Sequence, residues 1–219
     1  MKTTLMLTAV VLLAACNNPA SDKTGATDTA KTTVAATPAG DPEKEWKPVD
    51  SATAMKAWME YATPGEPHKA MAKGAGNWEG ETTMWMAPGA PPMTSKSSCV
   101  SKMAMGGRYD VTTFSGSFMG QPFEGMAIMG YDNSKKAYIS TWIDNMGTGM
   151  MHMEGKADAS GKVITMTGKM TDPATGRECD VKEINTFIDD DHHTMEMYGP
   201  DPATGKQYKN MEIKFTRKK

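Results

Sequence analysis

Ser140, Trp142 and Asp144 alternate along the chain, so in an extended strand their three side chains leave the same face. An aspartate beside an indole can fix the polar head of a ligand, because pockets set a few polar groups among apolar walls. Asp144 also has a local role open to it: its carboxylate can accept backbone N–H groups of the Asn145–Gly149 turn, and the sequence favours that role. Methionine offers a second chemistry. Met84 and Met86, Met103 and Met105, Met151 and Met153, and Met195 and Met197 form pairs at strand spacing. Thioethers adapt to irregular apolar ligands, and they also ligate soft ions such as Cu(I) or Ag(I). Met150-Met151-His152-Met153 is the segment nearest to a copper-binding run, but strand alternation sends His152 away from Met151 and Met153. His192 and His193 follow Asp189-Asp190-Asp191; a carboxylate–imidazole cluster can hold zinc, yet adjacent strand residues diverge, and the segment reads as a solvated turn. His68 reads as a packing or capping residue.

No Gly-x-Ser-x-Gly elbow, His-Glu-x-x-His, phosphate loop or Cys-x-x-Cys occurs. Glu79 and Glu81 alternate outward as a solvated face. The chain is therefore expected not to be an enzyme and to carry no cofactor, and no residue is assigned as a metal ligand. A formal charge of −2 over 219 residues, without a clustered basic face, argues against nucleic acid as a partner.

The first residues speak about location. Lys2, an apolar run from Leu5 to Leu13 and the close Leu13-Ala14-Ala15-Cys16 resemble a bacterial lipoprotein signal. The resemblance implies removal of residues 1–15, a lipid on the Cys16 sulfur and a shift of formal charge to −3 as Lys2 is lost. No later segment approaches the roughly 20 apolar residues of a spanning helix, so the lipid on Cys16 is the expected link to the membrane. Asn17 stands where an Asp would signal inner-membrane retention. The expected location is the bacterial cell envelope, on the outer membrane facing the periplasm.

Residues 16–45 are rich in Ala, Thr, Asp, Lys and Pro and poor in large apolar side chains, the composition of a flexible linker. Residues 46–75 hold two short helices. Ala52, Met55, Trp58 and Met59 fall at helical spacing behind Asp50 or Ser51 as N-cap, and Pro67 opens a second helix that stops at Gly74. The pair suggests a lid or plug. From Gly76 to Lys219 the pattern is β, with nine turn signals that include Asp-Pro-Ala-Thr-Gly twice, at 172–176 and 201–205. The repeated loop is turn chemistry rather than domain duplication. Ten strands without crossover helices predict an all-β, antiparallel, up-and-down barrel, with a two-sheet sandwich as the alternative.

Charges mark the outer face of each strand. Trp78, Gly80, Thr82, Met84 and Met86 are expected inside, as are Ser95, Ser97, Cys99, Ser101, Met103 and Met105. Met151 and Met153 point inward, and so do Met211, Ile213, Phe215 and Arg217, with Lys209 at a rim. Trp85 is expected exposed on the outer face. With 22 Met and only five Phe, the interior mixes thioethers with small hydroxyls, which favours a cavity over a solid core. Cys99 and Cys179 are the remaining cysteines, and export would permit a disulfide between them.

Gly76-Asn77-Trp78 opening the first strand and Arg217 near the end of the last resemble the calycin arrangement of lipocalins and fatty-acid-binding proteins. There a strand Trp packs under a terminal Arg or Lys, a cation–π contact across the closed end. His68-Lys69, Gly76-Asn77-Trp78-Glu79-Gly80, Gly106-Gly107-Arg108, 119–125, Gly130-Tyr131-Asp132-Asn133, 140–149 and Glu196-Met197-Tyr198 resemble the bacterial family catalogued as domain of unknown function 1579. That resemblance, from about Thr63 to Lys219, implies a calycin-like barrel and brings no established activity or catalytic residues. The His-bearing motif of heme-binding, nitrobindin-like ten-stranded barrels is not visible. The expected function is binding of a small apolar or amphipathic molecule, with Met84, Met86, Met103, Met105, Trp142, Asp144, Met151 and Met153 as the ligand-facing set. Soft-metal binding and a structural envelope module are the alternatives.

Overall fold

The computed structural model describes residues 47–219; Cys16, the leader and residues 16–45 lie outside the described residues. The first helix, α1, spans Ser51–Ala62, and Asp50 Oδ1 caps it by accepting from Ala52 N (3.1 Å) and Thr53 N (3.0 Å). Such a cap is worth about 1 kcal/mol. Its free C-terminal carbonyls are met by the barrel: Arg108 donates to Ala62 O (2.7 Å), and Asn133 Nδ2 donates to Tyr61 O (3.0 Å) and Thr63 O (2.8 Å). Yet α1 buries none of its residues, and Met55, Trp58 and Met59 stand 63%, 67% and 65% exposed. The plug is supplied by α2 alone, Glu66–Lys73, which has Pro67 in its first turn, Gly74 at its end and buried His68 and Met71 on its inner face.

Ten strands follow: β1 Gly76–Met84, β2 Met93–Ala104, β3 Tyr109–Phe118, β4 Gln121–Asp132, β5 Ala137–Asp144, β6 Met151–Ala157, β7 Val163–Thr171, β8 Glu178–Phe187, β9 His192–Pro200 and β10 Gln207–Arg217. Each pairs antiparallel with its sequence neighbour, and β1 pairs with β10, which closes the barrel and leaves no edge strand. The two Asp-Pro-Ala-Thr-Gly loops fold alike. Asp172 and Asp201 each accept from the alanine N–H two residues on (2.9 and 3.1 Å), and Gly176 and Gly205 take positive φ (67° and 71°), as a hairpin bulge requires.

Parity read from the sequence holds along most strands. The exception is β10, where Lys209 pairs with Tyr198 but Met211 pairs with Met197, so an extra residue bulges out at Asn210. The bulge turns Lys209 outward to Glu196 (2.8 Å) and Glu212 (2.7 Å) while Met211 faces in, and this explains an alternation that looked inconsistent in the sequence. Trp85 is also corrected. It lies just past β1 and is half-buried rather than exposed: its N–H donates to Asn210 O (2.9 Å), its carbonyl accepts from Tyr208 Oη (2.9 Å), and Lys209 Nζ sits 5.7 Å from its ring centroid.

Side chains fill the barrel unevenly. One cluster, Met71, Tyr138, Met153, Ile164, Met166 and Val181, packs beneath α2. The second, Trp78, Cys99, Ile213 and Phe215, lies where β10 and β1 close the ring. At the first, β6 and β7 approach so closely that a Cβ on Gly155 would clash with the Thr165 carbonyl oxygen.

Candidate functional site

Between and beyond these clusters lies a cavity of about 840 Å³, within the range of roughly 300–1,000 Å³ that ligand pockets occupy. Its lining reaches α2 at one end and Met84, Phe118, Phe123 and Met146 at the other. Small hydroxyls concentrate on β1–β3, at Thr82, Ser95, Ser97, Ser101 and Thr112, whereas thioethers gather on β6, β9 and β10, at Met151, Met153, Met195, Met197 and Met211.

Of the residues assigned from sequence, Met84, Trp142, Asp144, Met151 and Met153 line the cavity, joined by Trp78 and Arg217. Met103 is partly buried and packs against the Met166 cluster. Met86 and Met105 do not belong to the site, being 56% and 74% exposed. Each was carried inward by extending strand parity past the strand's end: β1 stops at Met84, and Met105 sits beyond β2 at φ 49°, where alternation no longer applies. Cys99 and Cys179 are free thiols rather than a disulfide. Burial pushes the Cys99 thiol up to about 12, so it stays protonated and behaves as a small apolar filler.

Asp144 performs the local role and touches the indole as well. Its Oδ1 accepts from Met146 N (2.9 Å) and its Oδ2 from Trp142 Nε1 (2.7 Å), so both oxygens are engaged. Trp142 is thereby locked beside Phe114 (centroids 5.2 Å apart) and Phe123 (6.3 Å), forming an aromatic wall. His152 lies outside the barrel, its Nδ1 3.0 Å from Thr141 Oγ1. Among the described residues no group of three His, Cys, Asp or Glu is placed to hold a metal ion.

The signature pair is a clamp. Trp78 lies opposite Arg217 in the β1–β10 register, and the guanidinium carbon sits 4.1 Å from the indole centroid. Arg217 also donates to Lys73 O (2.7 Å), Ala75 O (2.8 Å) and Asp190 O (2.9 Å), while Trp78 Nε1 donates to Gly74 O (2.9 Å). One cation thus ties the C-terminal carbonyls of α2 to the β8–β9 turn and the barrel seam.

Two interior carboxyls, Asp110 and Glu183, carry no role in the sequence reading, and His193, read there as part of a solvated turn, instead lies inside the barrel. Asp110 Oδ1 accepts from Ser101 Oγ (2.8 Å) and Thr112 Oγ1 (3.1 Å), and burial raises its carboxyl above the usual range. Glu183 is likewise raised by burial, opposed by a hydrogen bond from Asn185 Nδ2 (2.6 Å). His193 stacks on Phe215 at 4.4 Å and meets Trp78 edge-on at 4.6 Å; its Nδ1 is buried without a partner, and burial, aided by the Arg217 charge, lowers its pKa to about 4. A neutral imidazole therefore lines the cavity at physiological pH. The signal for His193 was its shared parity with Met195 and Met197, the inward pair on β9. For Glu183 it was Lys182, whose charge marks the outer face of β8.

The family model described as "Protein of unknown function (DUF1579)" matches residues 63–217. No curated protein matches. Among solved structures, the crystal structure of Rv2717c from M. tuberculosis superposes with a TM-score of 0.53 at 13% identity, covering 72% of this chain and 100% of that one. That similarity speaks to the barrel fold.

Proposed function

For this chain, which belongs to the DUF1579 family, we propose that the barrel is a container that binds one small apolar or amphipathic molecule in its interior. The carrying observation is the cavity of about 840 Å³, walled by Phe, Trp and Met side chains with a few convergent polar groups. Methionine suits this use because its unbranched side chain can repack around ligands of different outline. Native mass spectrometry of the protein purified from its own host tests the reading. The expected result is a one-to-one adduct released by organic solvent. A bare chain that also takes up no hydrocarbon ligand contradicts it.

The container is tethered to the cell envelope through lipid on Cys16, on the outer membrane facing the periplasm. Support for this comes from Leu13-Ala14-Ala15-Cys16, Asn17 and the composition of residues 16–45. Metabolic labelling with a radioactive fatty acid is expected to mark the wild type and not Cys16→Ser. Equal labelling of both, or of neither, contradicts the tether.

A further inference from the structure

Asp110 on β3 and Glu183 on β8 stand on opposite walls, five strands apart in either direction around the ring. Each shows one carboxyl oxygen bonded by neighbouring side chains: Oδ1 of Asp110 by Ser101 and Thr112, and Oε1 of Glu183 by Asn185. No described side chain bonds the second oxygen of either. Thr82, Ser95 and Ser140 add hydroxyls to the same lining. Positive charge is confined to the α2 end. There Arg217 is spent on three backbone carbonyls, and Lys73 and Lys162 are exposed to solvent. His193, the remaining basic group within the barrel, is flanked by Phe215, Trp78 and Phe187. Glu183, midway along β8, thus lines the cavity with no cation bonded to it, whereas Asp110, the second residue of β3, lies toward the α2 end with the cations.

A carboxylate head buried beside Glu183 would set two carboxyls together with no counter-charge, an unfavourable arrangement. A hydroxyl or ammonium head would satisfy the free oxygen of Glu183. Building on the container reading, we propose that the bound molecule is an amphiphile with a hydrogen-bond-donating head, a long-chain amine or alcohol, seated on the free oxygen of Glu183, and not a fatty acid. Its chain would lie along Met151, Met153, Met195, Met197 and Met211.

The test is competition at neutral pH against the neutral dye N-phenyl-1-naphthylamine bound to the purified protein. The competitors are dodecylamine, dodecanol and dodecanoate, which share a chain and differ in the head. Dodecylamine is expected to displace the dye at a concentration about tenfold below dodecanoate, with dodecanol between them. Glu183→Gln and Glu183→Met are each expected to shrink that preference at least about threefold while dye uptake is retained. Should one variant not fold, the other carries the test. Dodecanoate competing as well as the amine, or a preference unchanged in both variants, overturns this assignment and leaves the container standing. If the dye and all three competitors fail to bind, the container reading falls as well.

Discussion

The barrel treats its interior in two ways. Beneath α2, around Met166, large side chains from β5 to β8 meet Met71, and Met166 itself has no exposed surface. On β1–β3 small inward residues, Gly80, Thr82, Ser95, Ser97, Ser101, Thr112 and Gly116, are interspersed with Trp78, Cys99 and Phe114, and the space the small ones do not fill belongs to the cavity. The alternation that selects inward residues is the same in both regions. What differs is side-chain volume, so one region holds the fold together while the other keeps room for a guest.

The sharpest way to break this contrast is at its packed pole. Met166→Ala should cost about 2–5 kcal/mol, read as a lowered midpoint in chemical denaturation, because its neighbours cannot collapse onto the void. A loss under about 1 kcal/mol would mean that the Met166 region is as loose as the chamber. Next comes pH. The unfolded His193 takes up a proton as pH falls below its ordinary 6.5, whereas the folded one resists until about 4, so this residue's contribution is present above 6.5 and lost as pH falls through that window. The loss amounts to about 3 kcal/mol. His193→Gln should accordingly be less acid-sensitive than wild type between pH 6.5 and 4, measured by denaturation at each pH. Identical slopes would contradict a buried neutral imidazole.

Arg217→Gln removes the clamp and should cost about 1–3 kcal/mol, with hydrogen exchange rising first in α2, since the lost bonds are those to Lys73 and Ala75. Uniform loosening of the whole barrel would show that the clamp is not local. The smallest effect belongs to the hollow wall. Ser97 Oγ is buried without a partner, so Ser97→Ala should change stability by less than about 1 kcal/mol and can raise it.

Much of this was legible in the sequence because charges mark outer faces and turn residues mark strand ends. Glu79 and Glu81 correctly sent Trp78, Thr82 and Met84 inward, and the paired Asp-Pro-Ala-Thr-Gly loops are two copies of one turn. Parity fails where strands stop or bulge. Met86 and Met105 lie past strand ends, and the extra residue at Asn210 reverses Lys209. The helical spacing of Met55, Trp58 and Met59 identified a face but could not say what meets it, and among the described residues nothing covers it. His193 was hidden by its neighbours: Asp189 to His192 form a solvated turn, with His192 bonded to Asp189, and the inward histidine begins one residue later.

The most direct test of the central claim is to fill the chamber and ask whether uptake disappears while the fold remains. N-phenyl-1-naphthylamine should bind wild type saturably, one per chain. A variant with Ala127→Trp and Ser140→Phe, both on the cavity lining, should lose that uptake yet keep a cooperative melting transition. Equal dye uptake by wild type and the folded, filled variant would contradict the account, because the binding would then lie outside the barrel.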